Sequence, residues 1–64
     1  MPIVTITMFE GRTVDQKRRL VKAVTDAVVT SLGPPATHEE TRVIIYEIPR
    51  ENFAKAGVLA SDKK

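Results

Sequence analysis

Apolar and polar residues alternate over the first nine positions of the chain and then settle into a longer period. Residues 2–9 (PIVTITMF) are β-branched and apolar, with threonine interleaved. Val4, Ile6 and Met8 share one face of an extended segment; Ile3, Thr5, Thr7 and Phe9 share the other. That pattern predicts a strand, and proline is tolerated at its first position. Glu10-Gly11-Arg12 makes a turn. Thr13-Val14-Asp15-Gln16 reads as a capping box, in which the Thr13 hydroxyl accepts from the Gln16 amide and the Gln16 side chain reaches back. A helix follows. Leu20, Val21, Val24, Ala27, Val28, Ser31 and Leu32 recur at the spacing of one helical stripe, and Lys17, Arg18, Lys22, Thr25 and Asp26 cover the other side. Gly33 stops the helix, and Pro34-Pro35 prevents its continuation. Residues 33–41 form a loop with a short turn capped by Thr37. Residues 42–48 (RVIIYEI) are a second strand whose apolar content nearly ignores alternation, as in a strand covered on both faces. Pro49 ends it. Residues 49–57 are rich in turn formers, residues 58–60 make a short strand, and residues 61–64 fray.

Strand, helix, strand in that order predicts a parallel pair with a right-handed crossover. The fold class is therefore α/β: a short β-α-β unit with parallel strands and a C-terminal hairpin, one domain spanning residues 1–64. A single helix covers only one face of the sheet, so another copy of the chain must cover the second. Size points the same way. A chain of 64 residues buries only about 60% of its unfolded surface and usually needs disulfides, metal or oligomerisation. There is no cysteine and one histidine, His38, which excludes disulfides and thiolate sites and leaves His38 unable to hold a metal alone. Oligomerisation remains.

Charge changes the picture little. The formal net charge is +2 and the pI about 9.3, but Lys17, Arg18, Arg19 and Lys22 fall on a helix among acidic neighbours, and Lys63-Lys64 is a short tail. With one Tyr and no Trp and no nucleic-acid motif, no nucleic-acid partner is expected. No apolar run approaches the roughly 20 residues of a membrane span, and the first nine residues lack the basic start and small-residue cleavage site of a signal peptide. A cytoplasmic protein is the expectation.

Candidate chemistry begins at Pro2, directly behind Met1. Removal of Met1 would leave a secondary amine at the chain terminus. An amine can take and return a proton, and a general base works best with its pKa near the working pH. Burial and neighbouring positive charge both lower an amine's pKa. Parallel pairing puts Pro2 and Arg42 at the same end of the sheet, each opening a strand. Arg12 lies past the far end of the first strand, roughly 20–25 Å away at about 3.3 Å per residue. An Arg12 that serves a Pro2 must therefore serve one on a neighbouring subunit, which a two-fold arrangement allows. Guanidinium groups hold carboxylates in bidentate fashion and keep their charge, so they can stabilise a developing enolate. Phe53 is the aromatic best placed to wall off the amine. His38 sits in a polar loop and is expected in solvent; Glu47 is expected in a structural ion pair, and Tyr46 in packing.

These residues together resemble the 4-oxalocrotonate tautomerase family. The resemblance covers nearly the whole chain: Met1-Pro2, the Glu10-Gly11-Arg12-Thr13 turn with Asp15-Gln16-Lys17 behind it, the helix, Arg42-Val43-Ile44-Ile45 with Glu47, and the Asn52-Phe53 step. It implies Pro2 as the general base and Arg12 as the binder of a remote carboxylate. It implies Arg42 on the 2-keto and adjacent carboxylate oxygens, drawing electron density, and Phe53 as the active-site phenylalanine. It also implies a hexamer built as a trimer of dimers, with each site drawing on more than one chain. The activity implied is interconversion of 2-hydroxymuconate and its 2-oxo isomers in aromatic hydrocarbon catabolism, with no metal or organic cofactor. The chain departs from the family pattern after Phe53, where Ala54-Lys55-Ala56 stands in place of a glycine-rich stretch. Two alternatives stay open: a hydratase or dehalogenase acting on halogenated acrylates on the same scaffold, and a noncatalytic partner subunit in which Met1 is retained.

Overall fold

A computed structural model describes residues 1–63. Strand β1 (Ile3–Phe9) leads through the Glu10–Thr13 turn into helix α1 (Val14–Leu32), and strand β2 (Arg42–Ile48) returns beside β1. The pair is parallel, with Ile3 opposite Arg42 and Phe9 opposite Ile48. A 3-10 turn (Arg50–Asn52) then precedes a small antiparallel hairpin of β3 (Ala54–Lys55) and β4 (Val58–Leu59), and a second 3-10 turn covers Ala60–Asp62. That last turn corrects the expectation of a frayed segment at residues 61–64: Ser61 and Asp62 are turned back, with Lys63 donating its amide to the Ala60 carbonyl. Lys64 lies outside the described residues.

The helix begins where the capping residues specify. The Thr13 hydroxyl accepts from the Gln16 amide at 3.1 Å, and Gln16 Oε1 accepts from the Thr13 amide at 2.9 Å. It ends where Gly33 donates its N–H to the Val29 carbonyl at 3.0 Å. Its half-buried positions are Gln16, Lys17, Leu20, Val21, Val24, Thr25, Asp26, Val28 and Val29. This rotates the expected stripe. Ala27, Ser31 and Leu32 are exposed, and Thr25 and Val29 take their place. Doublets four residues apart stay over a sheet only two strands wide, whereas a wider stripe would overhang its edge. Asp26 is partly covered because His38, from the following loop, sets its Nε2 3.0 Å from an Asp26 carboxylate oxygen.

Alternation divides the sheet into two faces. Val4, Ile6, Val43 and Ile45 lie under the helix and are half-buried. Glu47 belongs to that face, and Lys17 meets its charge at 2.6 Å. The outer face carries Ile3, Thr5, Thr7, Arg42, Ile44 and Tyr46, all exposed. Ile3 and Tyr46 each show 56% of their surface and Ile44 42%. No described residue is fully buried.

The protomer is also extended. It measures 45 × 25 × 14 Å with a radius of gyration of 15.1 Å, against about 11 Å for a globule of this length. Its accessible surface is 5101 Å², whereas a folded monomer of its mass exposes about 4,100 Å². The excess, on the order of 1,000 Å², matches one side of a standard protein–protein interface, roughly 800 Å².

Candidate active site

The candidate residues sit at the two ends of the outer sheet face. At one end, Pro2 leads into β1 and its carbonyl accepts the Arg42 amide at 2.9 Å, one rung beyond the strand pair. The same pairing that aligns the sheet thus sets Arg42 beside Pro2. The Arg42 guanidinium donates through Nη1 to the Glu39 carbonyl at 2.8 Å, so the loop before β2 fixes its direction. Pro2 is half-buried, whereas Met1 in front of it is 72% exposed. A shallow hollow of about 550 Å³ lies here, lined by Pro2, Leu32, Pro34 and Glu40 among others.

At the opposite end, the Glu10 amide bonds to the Ile48 carbonyl at 3.1 Å and extends the ladder by one rung. Gly11 then adopts φ 120°, a conformation open to glycine and costly for other residues, and the chain swings so that Arg12 emerges at the strand end. A larger open hollow of about 880 Å³ forms there, lined by Thr7, Phe9, Arg12, Ile48, Arg50 and Phe53 among others. Phe53 reaches it because Pro49 ends β2 and the 3-10 turn folds the chain back across the end of β1. The Phe53 ring meets Phe9 edge-on at 90°, centroids 5.3 Å apart, and the Ala60 amide donates to the Phe53 carbonyl at 2.8 Å to close the hairpin behind it.

Within one protomer, then, Pro2 and Arg42 share one end, and Arg12 and Phe53 share the other. The expected wall of Phe53 beside Pro2 does not exist inside a single chain. The span of β1 between the two groups is seven residues, over 20 Å at about 3.3 Å per residue. Among the described residues, neither Arg12 nor Arg42 has a carboxylate within ion-pair distance; the pairs present are those of Lys17, Arg18, Lys22 and His38. Among the described residues both guanidinium groups are thus without a carboxylate partner, which suits them to anion recognition. Arg50 lines the same hollow as Arg12 and Phe53, a placement that no local sequence signal marks. Its guanidinium lies over the Phe9 ring, 4.4 Å from the centroid. Only the meeting of two segments far apart in the chain reveals it.

A family model described as "Tautomerase enzyme" matches residues 2–63. The chain belongs to the tautomerase family. It is an enzyme of the isomerase kind, and relatives of nearly equal length surround it. It is 47% identical over 62 residues to the 2-hydroxymuconate tautomerase of Bacillus subtilis (strain 168), covering 97% of each protein. Its fold matches the crystal structure of YwhB, a homologue of 4-oxalocrotonate tautomerase, with a TM-score of 0.91 and 44% identity over 98% of this chain and 100% of that one. It also matches a chain of the heterohexameric 4-oxalocrotonate tautomerase of Chloroflexus aurantiacus J-10-fl, with a TM-score of 0.88, 31% identity and full coverage of both. Among the described residues, no helix is long and apolar enough to cross a membrane.

Proposed function

We propose that the protein is a cofactor-independent keto–enol tautomerase for 2-hydroxymuconate or a closely related unsaturated 2-oxo acid, working as a homo-oligomer. After loss of Met1, the Pro2 amine takes a proton from the substrate enol and returns it to a conjugated carbon, so that the double bond shifts and no atom is gained or lost. Arg42 binds the 2-oxygen and its neighbouring carboxylate and stabilises the negative charge that develops there. Its positive charge, brought to the Pro2 amine, favours the neutral amine that a base must be. Arg12 and Phe53 of another copy supply the remote carboxylate site and the water-excluding wall.

One observation supports this most directly. The span matched by the family, residues 2–63, contains Pro2, Arg12, Arg42 and Phe53, and these residues are divided between the two ends of an uncovered sheet face on which Ile3, Ile44 and Tyr46 are exposed. A second copy that covers the face also brings the ends of two chains together. The test joins intact mass with an ultraviolet assay of 2-hydroxymuconate. The protein should lack Met1 and ketonise the dienol, and Pro2→Ala should lower kcat/KM by about 10²–10⁴, the usual share of a general base. Full activity with Met1 in place, or near-native turnover by Pro2→Ala, would reject the assignment.

The second reading, addition of water to a halogenated acrylate, needs a carboxylate to activate that water. Glu10 lines the same hollow as Arg12 and is the group it would use. Halide release from 3-chloroacrylate, abolished by Glu10→Gln, would favour it.

A further inference from the structure

The Arg12 hollow holds a second guanidinium. Arg50 opens the 3-10 turn that follows Pro49, and the turn sets its guanidinium carbon over the Phe9 ring, 4.4 Å from the centroid, while Phe9 in turn meets Phe53 edge-on. A guanidinium held over a ring by its charge alone still has its N–H groups to offer an acceptor. Among the described residues no carboxylate pairs with Arg50 and no hydrogen bond occupies its N–H groups. Glu10 is the one carboxylate residue lining the hollow, against Arg12 and Arg50, so the lining carries net positive charge. The apolar part of the lining is aromatic and aliphatic: Phe9, Phe53 and Ile48. Two guanidinium groups and two aromatic rings lining one hollow suit a carboxylate at the end of a conjugated chain.

We propose that Arg50 is a specificity-determining residue, sharing with Arg12 the far carboxylate of a conjugated dicarboxylate and so favouring dianions over monoanions. This rests on the reading that the Arg12 end binds substrate. The diene lies beside the Phe9–Phe53 pair, and the planar fork of Arg50 donates to one carboxylate oxygen while Arg12 donates to the other.

Equilibrium binding separates this from the catalytic proposal. The full-length oligomer is titrated with trans,trans-muconate and with sorbate, which share a diene and differ in that a methyl group replaces the second carboxylate. The intact protein should prefer muconate. Arg50→Met should weaken muconate by about tenfold, as for loss of a charge-assisted hydrogen bond, and leave sorbate within about twofold. Arg50→Lys keeps the charge but not the planar fork, and should fall between the two. Circular dichroism and native mass confirm that each variant is folded and assembled. Where Arg50→Met fails to assemble, Arg50→Lys decides, by weakening muconate alone. Equal loss for both ligands, no loss for either, or an intact protein indifferent to the second carboxylate would each overturn the proposal. A protein that discriminates through Arg50 yet fails to isomerise 2-hydroxymuconate would instead sink the tautomerase assignment.

Discussion

Placing an aspartate at Ile44 should take the assembly apart. Ile44 stands at the middle of β2, opposite Thr5 and between the exposed side chains of Arg42 and Tyr46. The protomer leaves 42% of it open. Complete burial of such a side chain contributes about 1.5–3 kcal/mol, so the open share is worth roughly 1 kcal/mol to an interface. Ile44→Asp forfeits that share and forces a carboxylate into an apolar contact, at an effective cost of several kcal/mol. Together these come to about 4 kcal/mol per copy, close to a thousandfold in association constant. Because no described residue is fully buried in the isolated chain, dissociation should bring loss of helix with it. Sedimentation velocity over a broad dilution series, read beside far-ultraviolet circular dichroism, is the assay. The intact protein should hold a constant oligomeric mass, whereas Ile44→Asp should show lighter species and a weaker helical signal at the same concentrations. An Ile44→Asp protein with the intact mass and full helicity throughout would refute the claim that this face is an interface.

Other expectations concern single elements. Thr13→Ala removes one half of the capping box and should cost about 1 kcal/mol in denaturant unfolding. The hairpin loop Ala56-Gly57 has φ 52° and φ 79° at its two positions, as a two-residue turn of this kind requires; Ala56→Asn should raise the unfolding midpoint by the equivalent of about 0.5–1 kcal/mol. The Asp26 carboxyl is held below its ordinary value of 3.8 first by the hydrogen bond from Lys22 and then by that to His38. A depressed carboxylate stabilises the fold at pH above its unfolded value, and that contribution fades as pH falls through the lower folded value. Asp26→Asn should therefore lower the urea midpoint at neutral pH and leave it nearly unchanged at the acid end, so that stability falls less steeply as the pH drops through the acidic range.

Short-range signals were legible in the chain and long-range ones were not. Thr13, Gln16, Gly33 and Pro49 act on their immediate neighbours, so the ends of α1 and β2 follow from local chemistry. The strand order follows from the length of the helix between β1 and β2. The face of α1 was harder, because Thr25 and Val29 rather than Ala27 and Ser31 lie over the sheet, and a sheet only two strands wide decides that. Glu47 meets Lys17 as its place in the strand suggested. Arg50 escaped notice because its position depends on Phe9, forty-one residues earlier in the chain. Ala56 shows a different limit: the turn geometry prevailed over the residue's own preference, since the hairpin closes between Lys55 and Val58 whatever stands in the loop.

The central claim is that one chain's Pro2 works with another chain's Arg12, and subunit mixing tests it most directly. Pro2→Ala and Arg12→Ala proteins, each nearly inactive alone, are unfolded together, reassembled, and assayed with 2-hydroxymuconate, with native mass spectrometry to confirm hybrids. Random mixing should leave about a quarter of the sites with an intact Pro2 from one chain and an intact Arg12 from another, and activity should rise to about that share of the intact enzyme. Hybrids that form yet remain no more active than their parents would contradict it.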